Sequence, residues 1–429
     1  MTRRAEIFHV FTVVWGSAFI DLFLDVCVPN QLSHGNLAAL PQGSRYRIFT
    51  EAEDVPRLTD SPALEALRAV LPVDVVAVSM TGVDGNRYKR MTACHSHAAG
   101  DAAEAEAALI FLAPDHVLAE STLAALIRLH ASGKRAVLST GVRLSREGFL
   151  AERGDAGGRS LPPRELVRIA MRHLHPATVS LMVDGTATNT VPTSVYWPVR
   201  TGGEIAGLLV RSFHLHPFLI DPVRRHQLPT GTIDGHYVME CCPDLRDVYV
   251  AADSDELVVF ELSPAERTIG NDARSQGVSM LRLAAVAAGC NPFQRSHWEH
   301  IIRLHAGDVD EAWTDAENAS RRLARDLERY RPYELVLVRT YKTLKRLTRR
   351  RKAYAREVRR ARQGADRLAH RLMTVARRRS DRAVRFCREV IRQSPTVKQI
   401  RRPVKLMLHR AAKASKLGLK RLRRRVRMA

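Results

Sequence analysis

"LIFLAPDHVLAESTLAALIRL", residues 109–129, passes from a short apolar run through Pro114 and the pair Asp115–His116 into apolar residues recurring at three and four. A buried strand followed by an amphipathic helix is the repeating unit of an α/β domain. The junction sets a carboxylate and an imidazole where the strand ends. In one reading Asp115 caps the helix and His116 packs beside it; in the other the pair faces a ligand, because helix N-terminal amides favour anions.

The same unit recurs along the chain. "IFHVFTVVW" ends at Gly16 and is followed by the helix-like "SAFIDLFLDVCV"; further strands are expected at 46–50, 73–80, 108–114, 135–140 and within 247–262. The helical stretches "SPALEALRAVL" and "ESTLAALIRLHASGK" lie between some of them, the second closing at Gly133. Open α/β sheets bind ligands beyond the carboxyl ends of their strands. Gly16, Thr50, Asp115 and His116 are therefore expected to edge one crevice, the plain alternatives being a turn glycine and a helix-capping threonine.

At 429 residues and 45% hydrophobic content the chain can bury a large core in more than one unit. Its six cysteines are scattered without CxxC spacing, which points to a reducing compartment. The first 28 residues imitate a signal peptide, but Asp21 and Asp25 interrupt the apolar run, and no window supplies the roughly 18 apolar residues of a spanning helix. Charge is divided unevenly. Residues 341–429 hold 33 Lys or Arg against 4 Asp or Glu, a net of +29, which leaves −6 of the chain's +23 for residues 1–340. A mildly acidic body thus carries a basic tail.

"VVWG" (13–16), "PNQLSHGNLAAL" (29–40), "YRIFTEAED" (46–54) and residues 109–126, with the segments onward to "VAADSDELVVFELS" (250–263), resemble a GT-A type, family 2-like glycosyltransferase over residues 8 to 263. The resemblance implies a Rossmann-like α/β fold with a mixed sheet and flanking helices, a nucleotide-sugar donor, and a divalent metal (Mn or Mg) held by an Asp-x-Asp motif. Gly16, Thr50, Asp115 and His116 would be donor-binding. The motif position reads Pro114-Asp115-His116-Val117, with one Asp, and His116 stands as a metal ligand or a cationic partner of the diphosphate.

A second group lies further on. "FHLHP" offers His214 and His216 at strand spacing, which with Asp115 would complete a metal site; "DSDE" offers Asp253, Asp255 and Glu256; and "TIDGHYV" offers Asp234. Asp234, Asp253 and Asp255 are candidates for the base that accepts the proton of an acceptor hydroxyl. The plain reading makes the His pair a turn and DSDE a hairpin turn. A metal-dependent hydrolase built on His214, His216 and Asp253, or a non-catalytic adaptor with a degenerate transferase body, are the alternative functions. "CHSH" (94–97) reads as a loop, 153–167 as a mobile connection, Arg143 and Arg146 as surface or phosphate-contacting arginines, and Tyr196–Trp197 as core or a sugar-stacking wall.

The expected organisation is a transferase domain over 1–290, a helical closing segment over 291–340 and a basic helical tail over 341–429, with a coiled-coil-like stripe between 354 and 375. Such a tail suits an anionic membrane surface better than nucleic acid, since it has few aromatics for base stacking. A cytoplasmic protein, peripheral on the inner face of the membrane and acting on a glycan or lipid-linked acceptor, is the resulting expectation.

Overall fold

The computed structural model describes residues 4–78, 87–154, 158–185, 188–223, 233, 236–266, 271–272, 277–344 and 346–347. The chain divides into two units, Met1–Thr348 and Arg349–Ala429. The second unit, with the stripe from 354 to 375, lies outside the described residues, and so does Asp234.

Fifteen strands are described: β1 (Phe8–Val13), β2 (Arg45–Thr50), β3 (Val73–Ala77), β4 (Ala108–Phe111), β5 (His116–Leu118), β6 (Ala136–Ser139), β7 (Val142–Ser145), β8 (Thr188–Asn189), β9 (Ser194–Thr201), β10 (Glu204–Ser212), β11 (His216–Ile220), β12 (Val248–Val250), β13 (Val259–Ser263), β14 (Asn271–Asp272) and β15 (Ile302–His305). The main sheet has seven strands in the order β12-β6-β11-β4-β1-β2-β3. β1, β2, β3 and β4 pair in parallel, β12 is parallel to β6, and β11 runs against both β4 and β6. The result is a mixed, Rossmann-like α/β sheet. Continuous burial along β4 and β6 accounts for their unbroken apolar sequence.

Two consequences of this topology position the site. Six strands end at one edge, and the reversed β11 brings its first residue to that same edge, where His216 pairs with Ser139 at the end of β6. Beyond the edge, β5, β7 and β13 continue the chain after β4, β6 and β12 and form a small sheet of their own, β5-β13-β7. "DVYVAADSDELVVFEL" is therefore not a hairpin, because its two strands belong to different sheets. β9, β10 and β15 make a third sheet with a core on each face. Leu208 and Val210 join the main core, while Leu209, Val195 and Trp197 join a second core with Phe213, Trp298, Trp313 and Leu337.

Three expectations change here. "CHSH" lies within the helix Arg87–Glu104. Within 153–167, the helix Pro163–Arg172 begins where a mobile connection is expected, with residues 155–157 outside the described set. Segment 291–340 contains β15 as well as the helices Pro292–His297 and Glu311–Glu328, and β15 pairs with β10. No helix among the described residues is long and apolar enough to cross a membrane, and the five described cysteines are free and buried.

Candidate functional site

The chain leaves β1 for β2 and β3 on one side, then returns to β4 on the other, so the switch point of the sheet lies between β1 and β4. Crevices form at such points because successive connections diverge to opposite sides. β1 runs out through Val14 and Trp15 to Gly16, whose φ of +79° excludes most side chains although a Cβ would meet nothing within 4 Å. Its N–H donates to Asp54 Oδ2 at 2.8 Å, and the helix Ser17–Leu22 starts directly after it. Thr50, the last residue of β2, is fully buried, and its hydroxyl has no partner among the described residues. It shapes the crevice from below and does not cap a helix.

Asp115 does not cap one either. The helix expected at 116 begins at Thr122, with Ser121 at its N-cap in the left-handed region, and β5 intervenes. The backbone carbonyl of Asp115 accepts from Leu262 N at 2.8 Å, which ties the end of β4 to β13. The residue is 6% exposed. A π-helical stretch, Phe23–Cys27, brings Cys27 beside it, where the thiol donates to Pro114 O at 3.2 Å. Burial, with the Asp115 charge adding to it, pushes that thiol well above its usual range, so Cys27 stays protonated. π-helical turns recur at functional sites because they turn side chains off the ordinary helical faces.

His116 opens β5 and lines, with His216, Phe111, Phe218, Gly141 and Glu261, a cavity of about 20 Å³ at the sheet edge, room for one water. His116 Nδ1 accepts from Ala113 N at 3.2 Å. Burial pushes its pKa down to about 4, against the opposing pull of Glu261. The ring is thus neutral at pH 7 with its proton on Nε2, a tautomer assigned from the hydrogen bond. It can donate one N–H, but it offers neither a positive charge nor an Nε2 lone pair for a metal. The His216 ring fills the space a side chain at 141 would need, since a Cβ on Gly141 would lie 2.6 Å from its Nε2. Arg143 is paired with Glu261 at 2.8 Å, and Tyr196 is a buried wall whose hydroxyl burial pushes up to about 12.

Past β12, at the same edge, Asp253 forms a turn in which Asp255 N donates to Asp253 Oδ1 at 2.8 Å. An isolated bridge from Asp253 to Arg303, with Ser254 N donating to Arg303 O at 2.9 Å, lays this turn along β15. That contact delivers His305, which is 3% exposed. Its Nδ1 lies 2.7 Å from Gly307 O, and its Nε2 lies 2.8 Å from Asp253 Oδ1 and 3.9 Å from Asp255 Oδ2. With Nδ1–H committed to a carbonyl, Nε2 faces two carboxylates, an arrangement satisfied by a proton or by a cation. Burial raises the Asp253 carboxyl, but the Asp255 N–H and His305 outweigh it and hold the pKa below its usual value. Arg164 binds Asp255 through both oxygens and reaches Asp308 at 2.7 Å. The candidate ligand atoms of Asp253, Asp255 and His305 lie within 4.8 Å of one another, compatible with a metal site.

Among the described residues no comparable group forms from Asp115, His214 and His216. His214 and His216 face different surroundings: His214 Nε2 lies 3.8 Å from Cys290 Sγ, whereas His216 lies against Gly141. Asp253 has His305 as its imidazole neighbour, not either member of that pair. Sequence reasoning misses His305 because 291–340 reads as helical throughout. The alternation Ile302, Leu304 against Arg303, His305, stopped by Gly307, is the available strand signal.

No protein-family model matches the chain, and no curated protein matches it. Among solved structures, two of TarS from S. aureus, a glycosyltransferase, are similar over a limited region. For the TarS 1–349 structure the TM-score is 0.24 with 12% identity, covering 32% of this chain and 36% of that one. For the second the TM-score is 0.23 with 12% identity, covering 32% of this chain and 22% of that one. The chain thus spans about a third or less of the length of these structures. With so small an overlap, function has to be read from this chain's own topology and side chains.

Proposed function

We propose that the protein is a glycosyltransferase of GT-A type that moves a sugar from a nucleotide-diphosphate-sugar donor to a glycan or lipid-linked acceptor in surface polysaccharide or glycoconjugate synthesis. The switch between β1 and β4 supports this best, because it sets the open turn at Gly16 and the buried carboxylate of Asp115 on adjacent parallel strands. The nucleotide occupies the crevice above Gly16 and Thr50. Asp115 holds the donor diphosphate through a divalent metal, Mn or Mg. One or two protein ligands plus phosphate oxygens suffice for such an ion, and the hard carboxylate fits it. His216, at the same edge, is the second ligand in this assignment; His214, turned to Cys290, is left out of it. The metal supplies neutralisation of the leaving diphosphate.

Neutral His116 donates its Nε2–H toward the same space. Asp253, held ionised, is the preferred base for the acceptor hydroxyl, because Asp255 is already committed to Arg164. Asp234 remains a further candidate for that role. The basic tail 341–429 keeps the enzyme at an anionic membrane surface on the cytoplasmic side, where lipid-linked acceptors would be met.

Saturation-transfer NMR of the full chain with a panel of nucleotide-sugars, with and without manganese, tests the donor site. Binding of one donor that fails in Asp115→Ala is the expected outcome. A folded wild type that binds none under either condition rules the transferase out.

A further inference from the structure

The helical residues 334–344 and 346–347 end the described body, and their two faces have opposite characters. Leu337 and Tyr341 are buried in the second core, joined by the partly buried Leu344. Tyr341 lies so close over Gly289 that a Cβ there would come within 2.3 Å of its Cδ1. This pins the inner face to the body. At about 100° per residue, the outward face gathers Leu335, Val336, Arg339, Lys342, Arg346 and Leu347. Leu335 is 84% exposed, Val336 64% and Leu347 48%, and Tyr333 just before them is 63% exposed. Arg339, Lys342 and Arg346 are exposed as well, and no acidic residue occurs from 335 to 356.

Single exposed apolar residues are common on any protein. Three on one helical face, interleaved with three cations and free of carboxylates, are not the composition of a solvated face. A bilayer of anionic phospholipid accepts both kinds of side chain together, apolar tips below the headgroups and cationic ends at the phosphates. Nucleic acid would satisfy the cations and leave Leu335, Val336 and Leu347 in water. A second copy would set the same cations against each other. We propose that this outward face is a membrane-docking surface for anionic phospholipid, with Tyr333, Leu335, Val336 and Leu347 entering the interface. The inference deepens the membrane reading of the tail, on which it rests for the partner, but it is drawn from the body and assigns a different, apolar part of the contact.

The test uses the full-length chain and vesicles of phosphatidylcholine with or without phosphatidylglycerol. Leu335→Asn/Val336→Asn alters only exposed positions, so its melting temperature should match that of wild type. We expect about tenfold weaker binding of the double variant to the anionic vesicles, retained at high salt, where tail electrostatics are screened. In Tyr333→Trp, brominated phospholipid should quench the new indole. Equal vesicle affinity of wild type and double variant, or an introduced indole left unquenched on vesicles that do bind, overturns the docking face while leaving the tail reading intact. A concentration-dependent dimer that the double variant loses overturns it in favour of self-association. Absence of vesicle binding by wild type removes both the docking face and the tail reading, and donor binding remains an independent measurement.

Discussion

Neutral His116 predicts a specific acid sensitivity. Its folded pKa is about 4 against about 6.5 for the free side chain. Between those values the unfolded chain binds more protons than the folded one, so stability is complete above the unfolded pKa and is lost as pH falls toward the folded one. At about pH 5 the loss from this residue is about 2 kcal/mol, approaching 3 kcal/mol below about pH 4. Burial also lowers His9 and His297 to about 4. Three such groups remove about 6 kcal/mol at about pH 5, a large share of the 5–15 kcal/mol that holds a typical domain together. His116→Gln keeps an acceptor for Ala113 N–H but cannot titrate. Urea unfolding followed by far-ultraviolet circular dichroism should give the variant a stability within about 1 kcal/mol of wild type near neutral pH. It should also show an acid loss smaller by about 2 kcal/mol at about pH 5. Parallel losses in the two proteins would mean that His116 is not a buried neutral imidazole, and its role as an uncharged donor at the site would fall with that result.

Gly207→Ala would put a Cβ 2.5 Å from Leu304 O and 2.6 Å from the Trp313 ring. A ladder carbonyl cannot retreat freely, so a loss of about 1–3 kcal/mol in urea unfolding is expected, with β15 and His305 displaced. Gly141→Ala meets a side chain instead, the His216 ring, which can rotate. We expect a small change in melting temperature but a clear loss of donor binding by NMR, and unchanged binding would remove His216 from the site. At the second cluster, manganese at about a hundred times its Kd should raise stability by about 2.7 kcal/mol. Calorimetry of Asp115→Ala and His305→Gln would show which cluster holds the ion, by which variant loses that rise.

The expected strands from 8 to 139 are present because each is a short buried run bounded by a turn, and burial on both faces writes itself into sequence as unbroken apolar residues. The Asp115–His116 junction was legible as a site but not as a structure. Three residues of β5 are too few to show a period, so "HVL" merges in sequence with the helix that starts at Thr122. The helix over "CHSH" was hidden for a different reason, since its polar and alanine-rich residues give only a weak apolar stripe.

Long-range placement was the part that sequence could not carry. H-x-H spacing predicts a shared face only if both histidines lie in one strand, and here β11 begins at His216, leaving His214 in the preceding bend to turn toward Cys290. The reversal of β11 brings His216 to the edge that holds Asp115, although the two residues are about a hundred positions apart. Likewise Asp253 meets His305 because β15 returns to pair with β10 and lies along the turn after β12. Both meetings depend on strand direction and sheet membership, which local periodicity does not encode. A single reversed strand and a single late strand therefore decide which of the chain's imidazoles can act with which carboxylate. Perturbing those strands, as Gly207→Ala does from beneath His305, separates the chemistry of the two clusters more cleanly than removing any one ligand.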